Sequence, residues 1–311
     1  MRKLPPLLAL VAILVAGACA SYEESNAQQA TTAAHVDFDF QPITSKTLPR
    51  LLQLNDRIFS GAEPKVEQAF AELQKLGIKT IIGVDGARPK VEWAAKYGME
   101  YVHIPIGYDG IETAQANAFA QVVREKPGPY YFHCHHGRHR GPAAAAIGFM
   151  ADTQCGSEGG IAVLTHAQTS KNYPGLWRDV EAFEMPSASV KVELPAIAMV
   201  SDFEGAMAKM DRAWDEAKLI QKAGWKVSAE HPDLDPQRTA LILSQTFEDL
   251  NATTPRRYLN KELFQEQMKV ALSASSALSK ALAGNNVSDA DAAFEKVRKS
   301  CKGCHLEYRD Q

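Results

Sequence analysis

Cysteine is scarce in this chain, with five in 311 residues, at positions 19, 134, 155, 301 and 304. So thin a supply excludes a disulfide-stapled scaffold and asks for a separate account of each thiol. An excess of charge is missing as well, since 34 Lys and Arg against 37 Asp and Glu leave a formal net charge of -3. A balance this close to neutral gives no electrostatic footprint for a nucleic-acid partner. Past residue 20 no apolar run is long enough to cross a bilayer. With 45% hydrophobic and 23% charged residues, the composition is globular and the length allows two cores.

The one long apolar run stands at the N-terminus. Arg2 and Lys3 precede the apolar stretch from Leu4 to Val15, and the small residues Ala16-Gly17-Ala18-Cys19-Ala20 follow. This is the pattern of an export signal over residues 1–20, and it predicts a periplasmic or otherwise exported protein. Two cleavage sites fit. Cleavage after Ala20 releases a soluble chain. Cleavage before Cys19 leaves a cysteine for lipidation and so a membrane anchor, although Ala16 stands where a lipobox usually has Leu. Residues 21–35 are polar and suit a tether.

From residue 36 to 185, short β-branched runs alternate with helical stretches. Strands are expected at Lys79–Val84, Met99–Ile104 and Tyr130–His133, with helices at Pro64–Leu76, Lys90–Tyr97, Thr113–Glu125 and from Gly141 onward. That alternation predicts an α/β domain around a largely parallel sheet flanked by helices. Residues 186–194 form a linker. Over 195–311 no strand pattern recurs, and helices are expected at Pro195–Ala223, Pro236–Asn251, Arg257–Ala283 and Ser288–Asp310. Four such helices on short loops predict an all-α four-helix bundle.

Near the C-terminus stands Cys301-Lys302-Gly303-Cys304-His305. Two thiols three residues apart can each add to a haem vinyl group, and the next His then faces the iron from the same side. A zinc site would need four ligands, and no partner pair is near. The motif therefore predicts one covalent haem c, through Cys301 and Cys304, with His305 as axial ligand. A C-terminal haem helix ending Cys-Lys-Gly-Cys-His-Leu-Glu-Tyr-Arg resembles the cytochrome c′ family. The Tyr308-Arg309 pair is part of that resemblance. In that family the other iron face is either closed by an apolar residue or held by a Met sulfur. Val200, Phe203, Met207, Met210 and Trp214 form one stripe of the first helix, with Met207 the candidate second axial ligand.

The second motif is His133-Cys134-His135-His136-Gly137-Arg138-His139-Arg140-Gly141. It follows the apolar strand and opens a helix, so loop amides and a helix N-terminus converge near Cys134. An ordinary thiol is mostly protonated at neutral pH, and this setting, with Arg140, favours a thiolate nucleophile. Arg140 is the bidentate phosphoryl clamp, and residues His135, His136, Gly137, Arg138 and His139 make the phosphate-binding loop. The three loop histidines could also add charge below about pH 6.5 and favour polyanions.

This loop resembles that of the cysteine-dependent tyrosine and dual-specificity phosphatases. Phe59-Ser60-Gly61-Ala62-Glu63-Pro64, Gly77-Ile78-Lys79-Thr80-Ile81-Ile82 and His103-Ile104-Pro105-Ile106 extend the resemblance. The family's general acid is an Asp on the loop after that last strand, and Asp109 is the matching position; the bland account is a turn Asp beside Gly110. One departure stands out. The family has Ser or Thr directly after the arginine to help release the cysteine, whereas this chain has Gly141.

Two functions follow as expectations. One is phosphomonoester hydrolysis through a Cys134 phosphocysteine, with the haem able to modulate it by redox state or gas binding. The other is a non-catalytic phosphate-binding domain fused to an electron-transfer cytochrome. The implied partners are a phosphorylated protein or small polyanion, a redox partner, and a second copy through the bundle helices. Cys155 is expected to be a small buried residue, with a disulfide to Cys134 as the alternative.

Overall fold

The computed structural model describes residues 38–232 and 234–309. The export signal, the tether and Cys19 lie outside the described residues. Apolar runs in the first half build one mixed sheet of six strands, in the order β1-β2-β3-β6-β4-β5. Strands β3 (Ile58–Ala62), β4 (Thr80–Gly83), β5 (Glu100–His103) and β6 (Tyr130–Cys134) are mutually parallel. Two short antiparallel strands, β1 (Gln41–Pro42) and β2 (Leu52–Gln53), extend the β3 edge. β6 is buried at every position, as a central parallel strand must be when helices cover both faces.

Successive β6 side chains feed different cores. Tyr131 packs with Phe70, Leu73 and Ile81 on the face covered by α1 (Glu67–Lys75) and α2 (Val91–Lys96). Phe132 and Cys134 join Phe119, Ala143 to Ile147, Val163 and Leu176. Those residues come from α3 (Thr113–Glu125), α4 (Arg140–Thr153), α5 (Gly156–His166) and α6 (Pro174–Glu181). The small residues of α4 let it lie close to the sheet, and a Cβ at Gly148 would stand 2.7 Å from the Phe132 ring.

The second half is helical: α7 (Asp202–Lys222), α8 (Pro236–Ala252), α9 (Arg256–Leu259), α10 (Glu262–Ala283) and α11 (Val287–Tyr308). Its core joins Met210, Phe247, Phe264, Leu278 and Phe294, with Trp214 stacked on Phe294 at 4.3 Å between ring centroids.

Two helical expectations need correction. Residues 195–201 are not helical, because Ser201 caps α7 in a reciprocal box with Glu204. His103 also takes the preceding segment, with its amide donating to the Pro195 carbonyl at 2.8 Å and its Nδ1 accepting from the Ala198 amide at 3.1 Å. The stretch 257–283 is two helices, broken at Asn260-Lys261 between α9 and α10. The connecting segment is docked on the first half, where Gln121 holds both the amide and the carbonyl of Val192.

Candidate functional site

The parallel register puts the C-terminal ends of β3 and β6 side by side, with Ala62 opposite Cys134. This is the sheet edge at which α/β folds place their sites. Cys134 is 3% exposed. The loop after it turns at Gly137, whose φ of +64° and close approach to Gly61 and Ala62 leave no room for a Cβ. The chain then enters α4 at Arg140, with the His139 carbonyl accepting the first helical bond from the Ala143 amide.

Arg140 stands near Cys134 with one donor left over. Nη1 donates to the Ile106 carbonyl at a long 3.4 Å, and buried Nε has no hydrogen-bond partner among the described residues. Burial opposes its charge, yet Tyr108, Cys134 and Asp85 around it raise its pKa further. A buried guanidinium donor left unpaired next to a thiol asks for an anion.

Position 141 explains its own residue. A Cβ there would lie 2.8 Å from the Cys134 amide nitrogen and 3.1 Å from the His133 carbonyl carbon. The missing hydroxyl is therefore tied to how tightly α4 seats against β6.

Asp109 is exposed on the rim of this site. Its loop is fixed by α6, where Asp179 accepts from the Ile111 amide at 2.6 Å and Arg178 donates to the Asp109 carbonyl at 3.4 Å. The neighbouring Tyr108 ring lies 4.3 Å from the Arg140 guanidinium carbon and 3.8 Å from that of Arg309, at the end of α11.

The loop histidines separate. His139 packs against Tyr173 at 4.7 Å, and burial with the charges of Arg138 and Arg309 pushes it down to about 4. It is neutral near pH 6, contrary to the added charge expected of it. His135 is 2% exposed and faces Asp215 of α7 through Nε2 at 2.8 Å and Glu63 through Nδ1 at 3.2 Å. Burial opposes its charge, but those two carboxylates raise its pKa. His136 reaches the same Asp215 oxygen at 2.9 Å. Arg138 points elsewhere, donating to the Gln168 carbonyl at 3.1 Å.

A charged network then ties the helical half to the loop. Arg212 of α7 donates to Glu63 at 2.7 Å and stands 3.4 Å from Asp85. Burial opposes the charge of Glu63, while His135, Arg212 and Lys90 hold its carboxyl well below the usual range. Glu63 belongs to a motif legible in the sequence, but Asp85, Arg212 and Asp215 belong to none. Only the spacing of three between 212 and 215, one face of a helix, hinted at a shared role.

Cys155 is half-buried at the N-cap of α5, and its thiol and that of Cys134 are both free. The disulfide alternative is overturned by α4, whose 14 residues separate the two thiols by about 20 Å.

A second cavity lies in the helical half, about 350 Å³ including its open mouth. Cys301, Cys304 and His305 line it from α11, opposite residues that include Met207, Met210, Phe247 and Phe264. Both methionines of the α7 stripe thus reach the cavity. Burial pushes the Cys301 thiol up to about 12 and Cys304 up to about 11, and pushes His305 down to about 4. Neutral thiols and a neutral imidazole on an apolar wall fit a haem's vinyl edge and iron better than they fit a thiolate metal site.

Residues 201–309 match the family model of cytochrome c′, which points to a haem cofactor in this half. No curated protein matches the chain. Among solved structures, TpbA of P. aeruginosa is similar at 18% identity, covering 46% of this chain and 90% of that one, with a TM-score of 0.38. A DUF442 protein of Shewanella putrefaciens CN-32 is 22% identical, covering 46% and 98%, at 0.38. Tk-PTP in its active form is 13% identical, covering 44% and 98%, at 0.34. The first half is a mixed sheet flanked by helices, and the helical second half carries the match to cytochrome c′.

Proposed function

We propose that this chain is an exported phosphomonoesterase that carries one covalently attached haem c. The observation that supports hydrolysis best is Arg140, near Cys134 with its buried Nε unpaired among the described residues. In the first step the Cys134 thiolate attacks phosphorus. The S–P bond forms as the P–O bond to the leaving group breaks, and Asp109 gives its proton to the departing oxygen. Arg140 and the loop amides of residues 135–140 hold the phosphoryl oxygens. Water then attacks phosphorus, Asp109 takes its proton back, and Cys134 leaves as thiolate with release of phosphate. Without a hydroxyl at 141 the departing thiolate loses a hydrogen-bond donor, so this second step is the slower one.

In the helical half, Cys301 and Cys304 would hold the cofactor through thioether bonds, and His305 would bind its iron. When bound, haem would supply one-electron chemistry or gas binding, and Met207 and Met210 line the cavity that would hold it. Arg309 lies four residues past His305 and against Tyr108, which supports communication between the two halves. Gly141 favours a second reading, in which the α/β half binds phosphate without turnover and the bundle carries electrons.

Aryl-phosphate hydrolysis by wild type and Cys134→Ser separates these. The expected result is steady turnover by wild type, none by the variant, and a phosphorylated Cys134 trapped by acid quench. Equal rates would overturn the enzymatic reading. Haem that survives acid–acetone extraction in wild type, but not in a Cys301→Ala/Cys304→Ala double variant, tests the covalent link.

A further inference from the structure

The network at the junction of the halves contains one arrangement that neither proposed activity uses. His135 Nε2, His136 Nε2 and Asp215 Oδ2 lie within 4.8 Å of one another, two ligand atoms from the loop after Cys134 and one from α7. We propose that these three residues form a binding site for a divalent transition metal of the zinc class, bridging the α/β half and the bundle.

The geometry of each ligand supports this. Both imidazoles aim Nε2 at one carboxylate oxygen, at 2.8 and 2.9 Å. Tetrahedral zinc with bonds of about 2.0–2.1 Å sets its ligand atoms roughly 3.3 Å apart, so each contact need open by only a few tenths of an ångström. His135 is held from behind, with Nδ1 3.2 Å from the Glu63 carboxylate. When a metal displaces the Nε2 proton, the proton kept on Nδ1 and donated to Glu63 leaves the Nε2 lone pair free for the metal. That is the carboxylate–histidine–metal arrangement by which proteins orient an imidazole ligand.

Glu63 is itself anchored by Arg212 and Lys90, so the imidazole's support is rigid. Lys218 occupies the other oxygen of Asp215, Oδ1, and leaves Oδ2 to the metal. Two nitrogens and one carboxylate oxygen suit zinc better than the all-oxygen cations, calcium and magnesium. The outer side is open, because the His136 side chain is 46% exposed, and a water can complete four ligands. This inference does not depend on the phosphatase reading, since none of its three ligand atoms is assigned to phosphate.

The test is isothermal titration of the full-length, haem-loaded protein with zinc chloride after chelator treatment and desalting. Wild type is expected to bind one equivalent with micromolar or tighter affinity and to melt at higher temperature with zinc. His136→Ala, a partly exposed position whose variant should keep the fold, and Asp215→Asn are each expected to weaken binding at least tenfold. Cys134→Ser is expected to bind as wild type does, which keeps the neighbouring thiol out of the site. Circular dichroism of each variant checks that lost binding is not lost fold. No stoichiometric binding by wild type, or binding unchanged in folded His136→Ala and Asp215→Asn, would overturn the proposal.

Discussion

The guanidinium carbon of Arg309 lies 3.8 Å from the centre of the Tyr108 ring. Arg140 approaches the same ring at 4.3 Å. Tyr108 is therefore a spacer between the arginine of the loop after Cys134 and the last turn of the Cys301–His305 helix. Each contact is worth about 0.5–2 kcal/mol. The ring thus touches one arginine from each half.

Removing that route gives the first prediction. Arg309→Ala should fold, since only about 1 kcal/mol of cation–π attraction is lost. In wild type, reducing the haem is expected to change kcat/KM for an aryl phosphate at least twofold. In Arg309→Ala the ferric and ferrous rates should coincide. Equal rates in both states of wild type would end the idea of communication through Tyr108.

Arg140→Lys tests the clamp. Lysine keeps the charge but loses the planar pair of donors. Loss of one strong transition-state contact of this kind costs about 2.7–4 kcal/mol, or roughly 10² to 10³ in rate. The fall should appear in kcat/KM with the melting temperature nearly unchanged. A variant within threefold of wild type would remove Arg140 from the reaction.

Restoring a hydroxyl by Gly141→Ser should not simply speed the second step. The new Cβ would stand 2.8 Å from the Cys134 amide nitrogen, a backbone atom that cannot rotate away. Overpacking of this kind costs about 1–3 kcal/mol. The urea midpoint should drop accordingly, and Gly141→Ala, which adds the Cβ without the hydroxyl, should drop by a similar amount. A serine variant as stable as wild type would show that α4 can move off β6.

His139 sets a pH dependence whose sign is fixed. Its folded pKa is pushed down to about 4 from 6.5, mainly by burial. Between those values the unfolded chain takes up the proton and the folded chain does not. The contribution is thus fully present above about pH 6.5 and is lost as pH falls towards 4. Urea midpoints measured from pH 7.5 to 4.5 should decline for wild type, and His139→Gln should decline less. Parallel curves would show that His139 titrates normally in the folded protein.

Much of the site was legible because its chemistry is local. Cys134, Gly137 and Arg140 are fixed by spacing along one strand–loop–helix, and Cys301, Cys304 and His305 by a single helical turn. The change from mixed to all-helical structure followed from hydrophobic period alone. The early edge strands were not legible, because β1 and β2 span two residues each and exist only by pairing, β1 with β2 and β2 with β3. The break at Asn260 carries no proline or glycine, and Pro195 reads as a helix start although the helix begins only after Ser201 caps α7.

What the sequence determined by itself is the inventory: two motifs, two fold types and a glycine where a hydroxyl was expected. The tertiary structure decided how they meet. Asp215 and Arg309 stand 81 and 175 residues past Cys134, by subtraction of their numbers. No local pattern could bring them to His135, His136 and Tyr108. That placement depends on α7 and α11 packing beside the sheet edge, where buried charges must find opposite partners or remain costly. The same packing turned Gly141 from a missing functional group into a steric requirement, and turned His139 from a source of charge into a neutral ring.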